Sequence, residues 1–168
     1  MRTCSNTQYL IKKAFKRMWL VRRLKGFGAS QGQLIDALQK QVLSVLWLGA
    51  PAWYCQTTEQ ERKDIDRVAK VGLRIIFWEA YCGFENCLLS VKMVRPTEQL
   101  ANTTSRFAAK NASHNKFSQW FEPAAIKTIN TRSIKNIQKY KSVPARTARY
   151  AKSPIPYMTQ MLNKQTNK

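Results

Sequence analysis

The stretch TEQERKDIDRVAKVGLRII, residues 58–76, predicts a helix with two contrasting faces. Thr58 and Glu61 have the spacing of a capping box, in which each side chain bonds the other residue's backbone N–H at the start of a helix. The apolar positions recur at helical spacing and are Ile65, Val68, Ala69, Leu73 and Ile76. Four cations follow one another along the other face at steps of four, three and four residues: Lys63, Arg67, Lys70 and Arg74. We therefore expect a helix that packs through one face and exposes a basic row on the other.

A second basic stripe is expected on an earlier helix, over residues 7–25. Its apolar side consists of Leu10, Ile11, Ala14, Phe15, Met18 and Val21. Its opposite side carries Lys12, Lys16 and Arg23. Gly26 and Gly28 are stop signals, because glycine readily adopts the left-handed backbone that ends many helices.

The centre of the core is predicted between these two helices. Ser30 and Gln33 form another capping-box pattern, and the residues that follow are apolar on several sides as far as Gly49 or Pro51. Farther along, a short helix is expected over residues 85–94, and a longer one that starts at Pro96 and frays near residues 111–114.

The end of the chain has a different composition. After Glu122 there is no acidic residue, apolar periodicity disappears, and Lys and Arg recur at short intervals. A cationic segment with so little apolar surface is typical of disorder. We therefore predict an all-α fold, a small bundle of about four to five helices over residues 1–122, followed by a basic, largely disordered tail over residues 123–168.

The charge of the chain indicates a polyanionic partner. Lys and Arg number 29 against 9 Asp and Glu, so the formal net charge is +20 at pH 7. Nucleic acid, an anionic membrane surface and an acidic protein all satisfy this charge. The longest apolar stretch, residues 42–54, is too short and too interrupted to span a membrane, and the first residues lack the order of a signal peptide. We expect an intracellular location, with the nucleus as one candidate, and reduced cysteines.

No group of residues in the sequence has the pattern of a catalytic or metal site. Asp64 and Asp66 are two residues apart on a predicted helix and point to different sides, whereas two-metal nucleotidyl transfer needs converging carboxylates. Cys82 and Cys87 lack the second ligand pair of a zinc site. His114 is the only histidine and is expected to be an exposed loop residue in a polar segment. The cysteines therefore lack the histidine partner that a catalytic triad needs. We expect no catalytic residue, no metal and no cofactor.

Several aromatic residues lie close to the basic helices in sequence, namely Trp53, Tyr54, Trp78 and Tyr81. Their rings are suited to stacking on nucleic-acid bases and equally suited to packing between helices. The sequence leaves both roles open.

Four blocks of the chain resemble a known family. They are KRMWLVRRLKGFGAS (residues 16–30), QVLSVLWLGAPAW (residues 41–53), ERKDIDRVAKVGLRII (residues 61–76) and the closing SPIPYMTQMLNK (residues 153–164). Together they resemble the C-terminal region of reverse transcriptases from non-long-terminal-repeat retrotransposons of the jockey and related types. The resemblance covers nearly the whole chain.

This resemblance implies the helical thumb of an RNA-directed DNA polymerase, or the region just after it. The paired-aspartate motif of the palm is absent from the sequence, so we expect the chain to be inactive alone and to lack the palm and fingers of the parent protein. In the family a thumb helix grips the template–primer duplex. Together with the helical spacing, this makes seven cations candidates for phosphate contacts: Lys12, Lys16, Arg23, Lys63, Arg67, Lys70 and Arg74.

The expected function is therefore non-specific binding of DNA or RNA through the phosphate backbone. Two alternatives stay open. The first alternative is a helical interaction module whose basic surface meets an acidic protein. The second is a remnant that exposes surface once covered by the palm and does not fold stably.

Overall fold

The computed structural model describes residues 3–114, 116–124 and 139–166. Every regular element within these ranges is a helix, and the only strand-like feature among them is an isolated antiparallel bridge between Pro123 and Tyr140. The predicted all-α class is confirmed.

The chain divides into two compact units. The first consists of Met1–Trp53 with Thr57–Leu100, and the second of Tyr54–Gln56 with Ala101–Lys168. This division differs from the predicted boundary after residue 122, because part of the predicted tail packs with residues that precede it in the chain.

Helix α1 spans Thr3–Gly26 in the first unit. The apolar residues predicted for its inner face are all buried or half-buried. It ends in a Schellman motif: Gly28, with φ 79°, donates its N–H to the Lys25 carbonyl, and Ala29 donates its N–H to the Leu24 carbonyl. The stop signal at Gly28 is confirmed.

The predicted central helix consists of three consecutive helical pieces. They are α2 (Gln31–Ala37), a π-helical segment (Leu38–Leu43) and α3 (Ser44–Trp47). The stretch begins at the predicted capping box, in which the Gln33 N–H donates to Ser30 Oγ at 3.4 Å and the Ser30 N–H donates to Gln33 Oε1 at 2.9 Å. The short helix α4 (Ala50–Trp53) follows a turn at Gly49.

Helix α5 spans Glu59–Phe77 and packs against α1, α2 and the π-helical segment. Its capping box is confirmed, since the Thr58 N–H donates to Glu61 Oε2 at 2.8 Å and the Glu61 N–H donates to Thr58 Oγ1 at 3.2 Å. Every apolar residue predicted for its inner face is buried. A side chain at Gly72 would meet Leu38 Cδ1 and would lie 2.9 Å from Leu38 Cδ2, so glycine permits the close approach of α5 to the π-helical segment.

Helix α5 ends at an unusual backbone conformation. Trp78 has φ 46° and ψ −108°, which stops the helix and begins a short 3₁₀ turn over Trp78–Ala80. Lys25 Nζ of α1 donates to the carbonyls of Ile75 and Ile76, and its ammonium lies 5.3 Å from the centre of the Trp78 ring. A cation at this place also complements the helix dipole.

Two more helices follow in the chain. Helix α6 (Phe84–Val91) ends because Lys92 adopts a left-handed conformation with φ 54°, which is earlier than the predicted end at residue 94. Helix α7 (Pro96–Ala112) begins at the predicted proline. The boundary between the two units falls within α7, after Leu100.

The second unit has a small core of its own, formed by Ala108, Phe121, Met158 and Leu162. Its elements after α7 are a 3₁₀ turn (Ser118–Trp120), α8 (Ala148–Ala151) and α9 (Pro154–Thr166).

The prediction of a disordered tail is therefore wrong for residues 154–166. Met158 and Leu162 of α9 are one turn apart and both are buried, so this helix does supply apolar surface to a core. The side chain of Asn163 also accepts the N–H of Tyr140 and donates to its carbonyl, both at 2.9 Å. The part of the predicted tail over residues 125–138 lies outside the described residues.

Candidate nucleic-acid interface

The basic row of α5 lies on the exposed side of that helix. Lys63, Arg67, Lys70 and Arg74 are all exposed, as their spacing predicts. The row extends for about 17 Å, because an α-helix rises about 1.5 Å per residue. It presents four cations in a line along one surface of the first unit.

A groove follows this row, and we call it the α5 groove. It has a volume of about 470 Å³, and it is lined by the four cations of the row together with Asp66, Val71, Phe84 and Arg95. Phe84 begins α6, and Arg95 immediately precedes α7. The fold thus adds a fifth cation, from a different part of the chain, to the four predicted on α5.

The cations of the groove differ in their acidic neighbours. Lys63 Nζ lies 3.2 Å from Glu59 Oε1 one turn earlier, and Arg95 pairs with Glu85. Both are exposed surface pairs, which typically contribute about 0–1 kcal/mol and are readily exchanged for another anion. Arg67 and Lys70 form no ion pair with any residue that the structure describes. Arg74 forms no ion pair with them either, so the row from Arg67 to Arg74 is the part most available to an external anion.

Two aromatic rings support guanidinium groups at the groove. The Arg74 guanidinium lies 5.6 Å from the ring centre of Tyr81, and that of Arg95 lies 5.8 Å from the ring centre of Phe84. Such cation–π contacts restrict the arginine side chains without neutralising their charge. The Arg74 guanidinium is thus held near the groove with no ion pair among the described residues, whereas the Arg95 guanidinium also pairs with Glu85.

The single acid that lines the groove already has partners. Asp66 accepts hydrogen bonds from the Thr97 N–H at 3.1 Å and from the Thr97 hydroxyl at 3.0 Å. Burial raises the pKa of Asp66 above its ordinary value, and the bonds from Thr97 offset part of that rise. Its side chain thus caps α7.

The second predicted group of cations, on α1, stands apart from the groove. Lys12, Lys16 and Arg23 are exposed as predicted, and none of them lines the α5 groove. The Arg23 guanidinium lies 5.2 Å from the ring centre of Phe27. The seven predicted cations therefore occupy two helices, and the four on α5 line a common groove.

Cys82 and Cys87 lie close together in the first unit. Cys82 Sγ and Cys87 Sγ are 4.0 Å apart, but no cluster of three His, Cys, Asp or Glu side chains that could hold a metal ion occurs among the described residues. Burial raises the pKa of the Cys87 thiol, which disfavours the reactive thiolate.

The four aromatic residues that the sequence left undecided have different surroundings. Trp53 and Tyr54 are buried and belong to the packing of their units. The Trp53 Nε1 donates to the Leu48 carbonyl at 3.0 Å. Trp78 is exposed beside Lys25, and Tyr81 is half-buried beneath Arg74.

Sequence reasoning missed Arg95 and Phe84 as residues of the interface. Arg95 is an isolated cation before a proline and belongs to no periodic row, so only the return of the chain past α5 places it at the groove. Phe84 follows Gly83, whose φ of 112° marks a turn. A glycine permits such a turn but does not determine the direction in which the chain leaves it.

Comparison of the chain with protein-family models, with curated proteins and with solved structures found no match. In the ranges that the structure describes, no helix has both the length and the apolar character needed to cross a membrane.

Proposed function

We propose that this chain binds nucleic acid through phosphate contacts in the α5 groove, and that it corresponds to the C-terminal, thumb-like region of a retrotransposon reverse transcriptase. The observation that carries the binding proposal is the position of Arg67 and Lys70. Both are exposed at the middle of a row of four cations, neither is paired with an acid among the described residues, and Arg95 lines the same groove.

The chemistry of the groove favours backbone contacts over base recognition. Its polar lining consists of four cations on one helix, a fifth cation and one acid that is occupied by Thr97. Phosphates bound by such a lining release condensed counterions, and this contribution to affinity does not depend on base sequence. A row of about 17 Å is long enough for its four cations to reach several phosphates of one duplex.

The proposal includes no enzymatic activity for this chain alone and no cofactor. We also propose that the chain is located inside the cell, with access to nuclear DNA. The parent polymerase would supply the palm and fingers that carry out the chemistry.

The test is a titration of the full chain with duplex DNA and with single strands at increasing salt. The variant in which Lys63, Arg67, Lys70 and Arg74 are all replaced by Gln should bind duplex more weakly. Its plot of log K against log salt concentration should be shallower by about three to four than that of the original chain, since each lost phosphate contact removes about 0.9 from the slope.

A matched control removes the same formal charge elsewhere. Lys40, Arg106, Lys110 and Lys116 are exposed and do not line the groove, so their replacement by Gln should change the slope far less. Equal effects of the two sets would mean that only net charge matters and would refute the α5 groove as the binding surface. Absence of binding by the original chain at low salt would refute the function itself.

A further inference from the structure

The exposed face of α1 carries large aromatic side chains as well as cations. Tyr9, Trp19 and Phe27 are 60%, 59% and 77% exposed, respectively. Most soluble proteins leave few large aromatic rings so open to solvent, and a row of them indicates a binding surface.

These aromatic residues share one line along the helix with the three cations predicted on α1. The residues of this line follow one another at steps of three, four, three, four and four, which keeps them on one face: Tyr9, Lys12, Lys16, Trp19, Arg23 and Phe27. We call this line the aromatic–basic stripe. No acidic residue occurs in α1, so no internal partner on this helix neutralises the stripe.

The end of the stripe is held in place without being buried. The Phe27 N–H donates to the Arg23 carbonyl at 3.0 Å, which continues the helical pattern, and the Schellman motif at Gly28 fixes the turn directly after it. The Arg23 guanidinium lies over the Phe27 ring, and Lys13 Nζ lies 5.9 Å from the ring centre of Tyr9. A cation thus lies over one face of the Phe27 ring and over one face of the Tyr9 ring, while all three aromatic side chains stay largely exposed.

The alternation of rings and cations is the composition of a surface that binds single-stranded nucleic acid. Unpaired bases present free faces that stack on aromatic side chains, while the cations follow the phosphates. In a duplex the base faces are already stacked on one another, so the rings would contribute little. From Tyr9 to Phe27 the stripe is about 27 Å long, which accommodates about eight nucleotides of a stacked strand.

A membrane surface fits the stripe less well. A helix that lies in a bilayer interface needs a broad, continuous apolar face that can enter the lipid. The continuous apolar face of α1 is buried in the first unit, where Ala14 and Val21 are fully buried. On the exposed side, cations interrupt the rings at every turn.

We infer that the aromatic–basic stripe of α1 is a binding site for single-stranded DNA or RNA, separate from the phosphate-binding α5 groove. This inference rests on the proposed function in one respect only, namely that nucleic acid is the ligand. It adds a second surface, a different mode of contact and a preference for unpaired strands.

The test uses the full chain with an oligothymidylate of about twenty nucleotides, longer than the stripe can cover, and with a duplex of equal length. The double variant Trp19→Leu, Phe27→Leu keeps apolar side chains and removes the π faces. Its Kd for the oligothymidylate should rise about tenfold or more, from the typical cost of losing one base–aromatic stack. Its Kd for duplex should change by less than about twofold, because the α5 groove is intact.

Two controls separate stacking from other effects. The variant Trp19→Tyr, Phe27→Tyr retains the rings and should retain most of the single-strand affinity. The variant Phe107→Leu, Tyr150→Leu removes two exposed rings of the second unit and should change neither Kd. All of these sites are exposed, and cooperative thermal unfolding of each variant verifies that the chain still folds.

Three results would overturn the inference. They are an unchanged single-strand Kd in the Leu variant, an equal loss of single-strand and duplex binding, and binding of the original chain to phosphatidylserine vesicles but not to oligothymidylate. The first leaves the proposed function standing, since duplex binding through the α5 groove is measured in the same series. Failure of the proposed function is recognised separately, as an original chain that binds neither nucleic acid.

Discussion

Asp66 of α5 caps α7 through both polar groups of Thr97. Its carboxylate accepts the backbone N–H at 3.1 Å and the hydroxyl at 3.0 Å. An acceptor at this place satisfies a backbone N–H of the first turn, and a negative charge there complements the helix dipole. This carboxylate therefore joins α5 to the first turn of α7.

The replacement Asp66→Asn should change how stability depends on pH. Burial raises the pKa of Asp66 above its ordinary value of 3.8, so the folded chain favours the protonated carboxyl more than the unfolded chain does. The stabilisation from this group is therefore complete below 3.8 and is lost as the pH rises through the raised pKa. Asn cannot ionise and still accepts the Thr97 N–H. The free energy of unfolding of the variant, relative to the original chain, should thus increase with pH.

Urea unfolding at several pH values from about 3 to 7 measures this difference across the titration range of a carboxyl group. If the variant instead loses stability relative to the original chain as the pH rises, the Thr97 bonds and the nearby cations lower the pKa of Asp66 more than burial raises it. The matched replacement Asp64→Asn removes an acid of the same helix that does not bond Thr97, and it controls for the loss of one negative charge from α5.

The replacement Gly72→Ala should destabilise the first unit. Alanine is intrinsically about 1 kcal/mol better than glycine inside a helix, but here its methyl group would meet the buried side chain of Leu38. Overpacking of a core costs about 1–3 kcal/mol, so we expect a net loss of about 1 kcal/mol in the free energy of unfolding. Chemical denaturation measures it. Gly32→Ala is the control, because nothing lies within 4 Å of a methyl group there; a Gly72→Ala chain as stable as this control would contradict the close packing.

Single replacements within the basic row should have unequal effects on duplex binding. Lys70 has no ion pair among the described residues, whereas Lys63 has Glu59 one turn away. Lys70→Gln should therefore reduce the salt slope of duplex binding by about one, and Lys63→Gln by clearly less than one. The two variants lose the same side chain and charge, so each is the other's control. A larger effect at Lys63 would mean that the ligand contacts the start of α5 instead of its middle.

The replacement Met158→Ala should destabilise the second unit. Met158 is buried in the core that α9 shares with Phe121, and truncation of a buried methionine typically costs about 2–5 kcal/mol. Met161 lies on the same helix and is half-buried, so Met161→Ala should cost less. Thermal unfolding of the full chain compares the two. If neither variant alters the transition, residues 154–166 do not pack as the structure has them.

The first unit was largely predictable because its signals are local. Capping boxes at Ser30 and Thr58 and the glycine at position 28 act within one helical turn, and apolar spacing is a property of one helix. The same spacing placed the basic row on the exposed side of α5. Residue spacing within one helix could not predict that Arg95 lies at the α5 groove, because the approach of a distant segment depends on the turns between helices.

The error at the end of the chain had a different cause. Basic composition dominated the interpretation of residues 123–168, and the buried hydrophobic side chains Met158 and Leu162 are too few to form a conspicuous pattern. They suffice because Ala108 and Phe121 supply the rest of that core. An apolar pair is interpretable only when its partners are known, and these lie nearly forty residues or more away in sequence.

The contact between Gly72 and Leu38 also bears on how this sequence can vary. The two positions share one volume, so a larger residue at position 72 requires a smaller one at position 38. Related chains should therefore show paired exchanges at these positions, such as alanine at 72 together with valine or alanine at 38. The basic row on the opposite side of α5 is free of that constraint, so its cations can change one at a time without disturbing the helix that presents them.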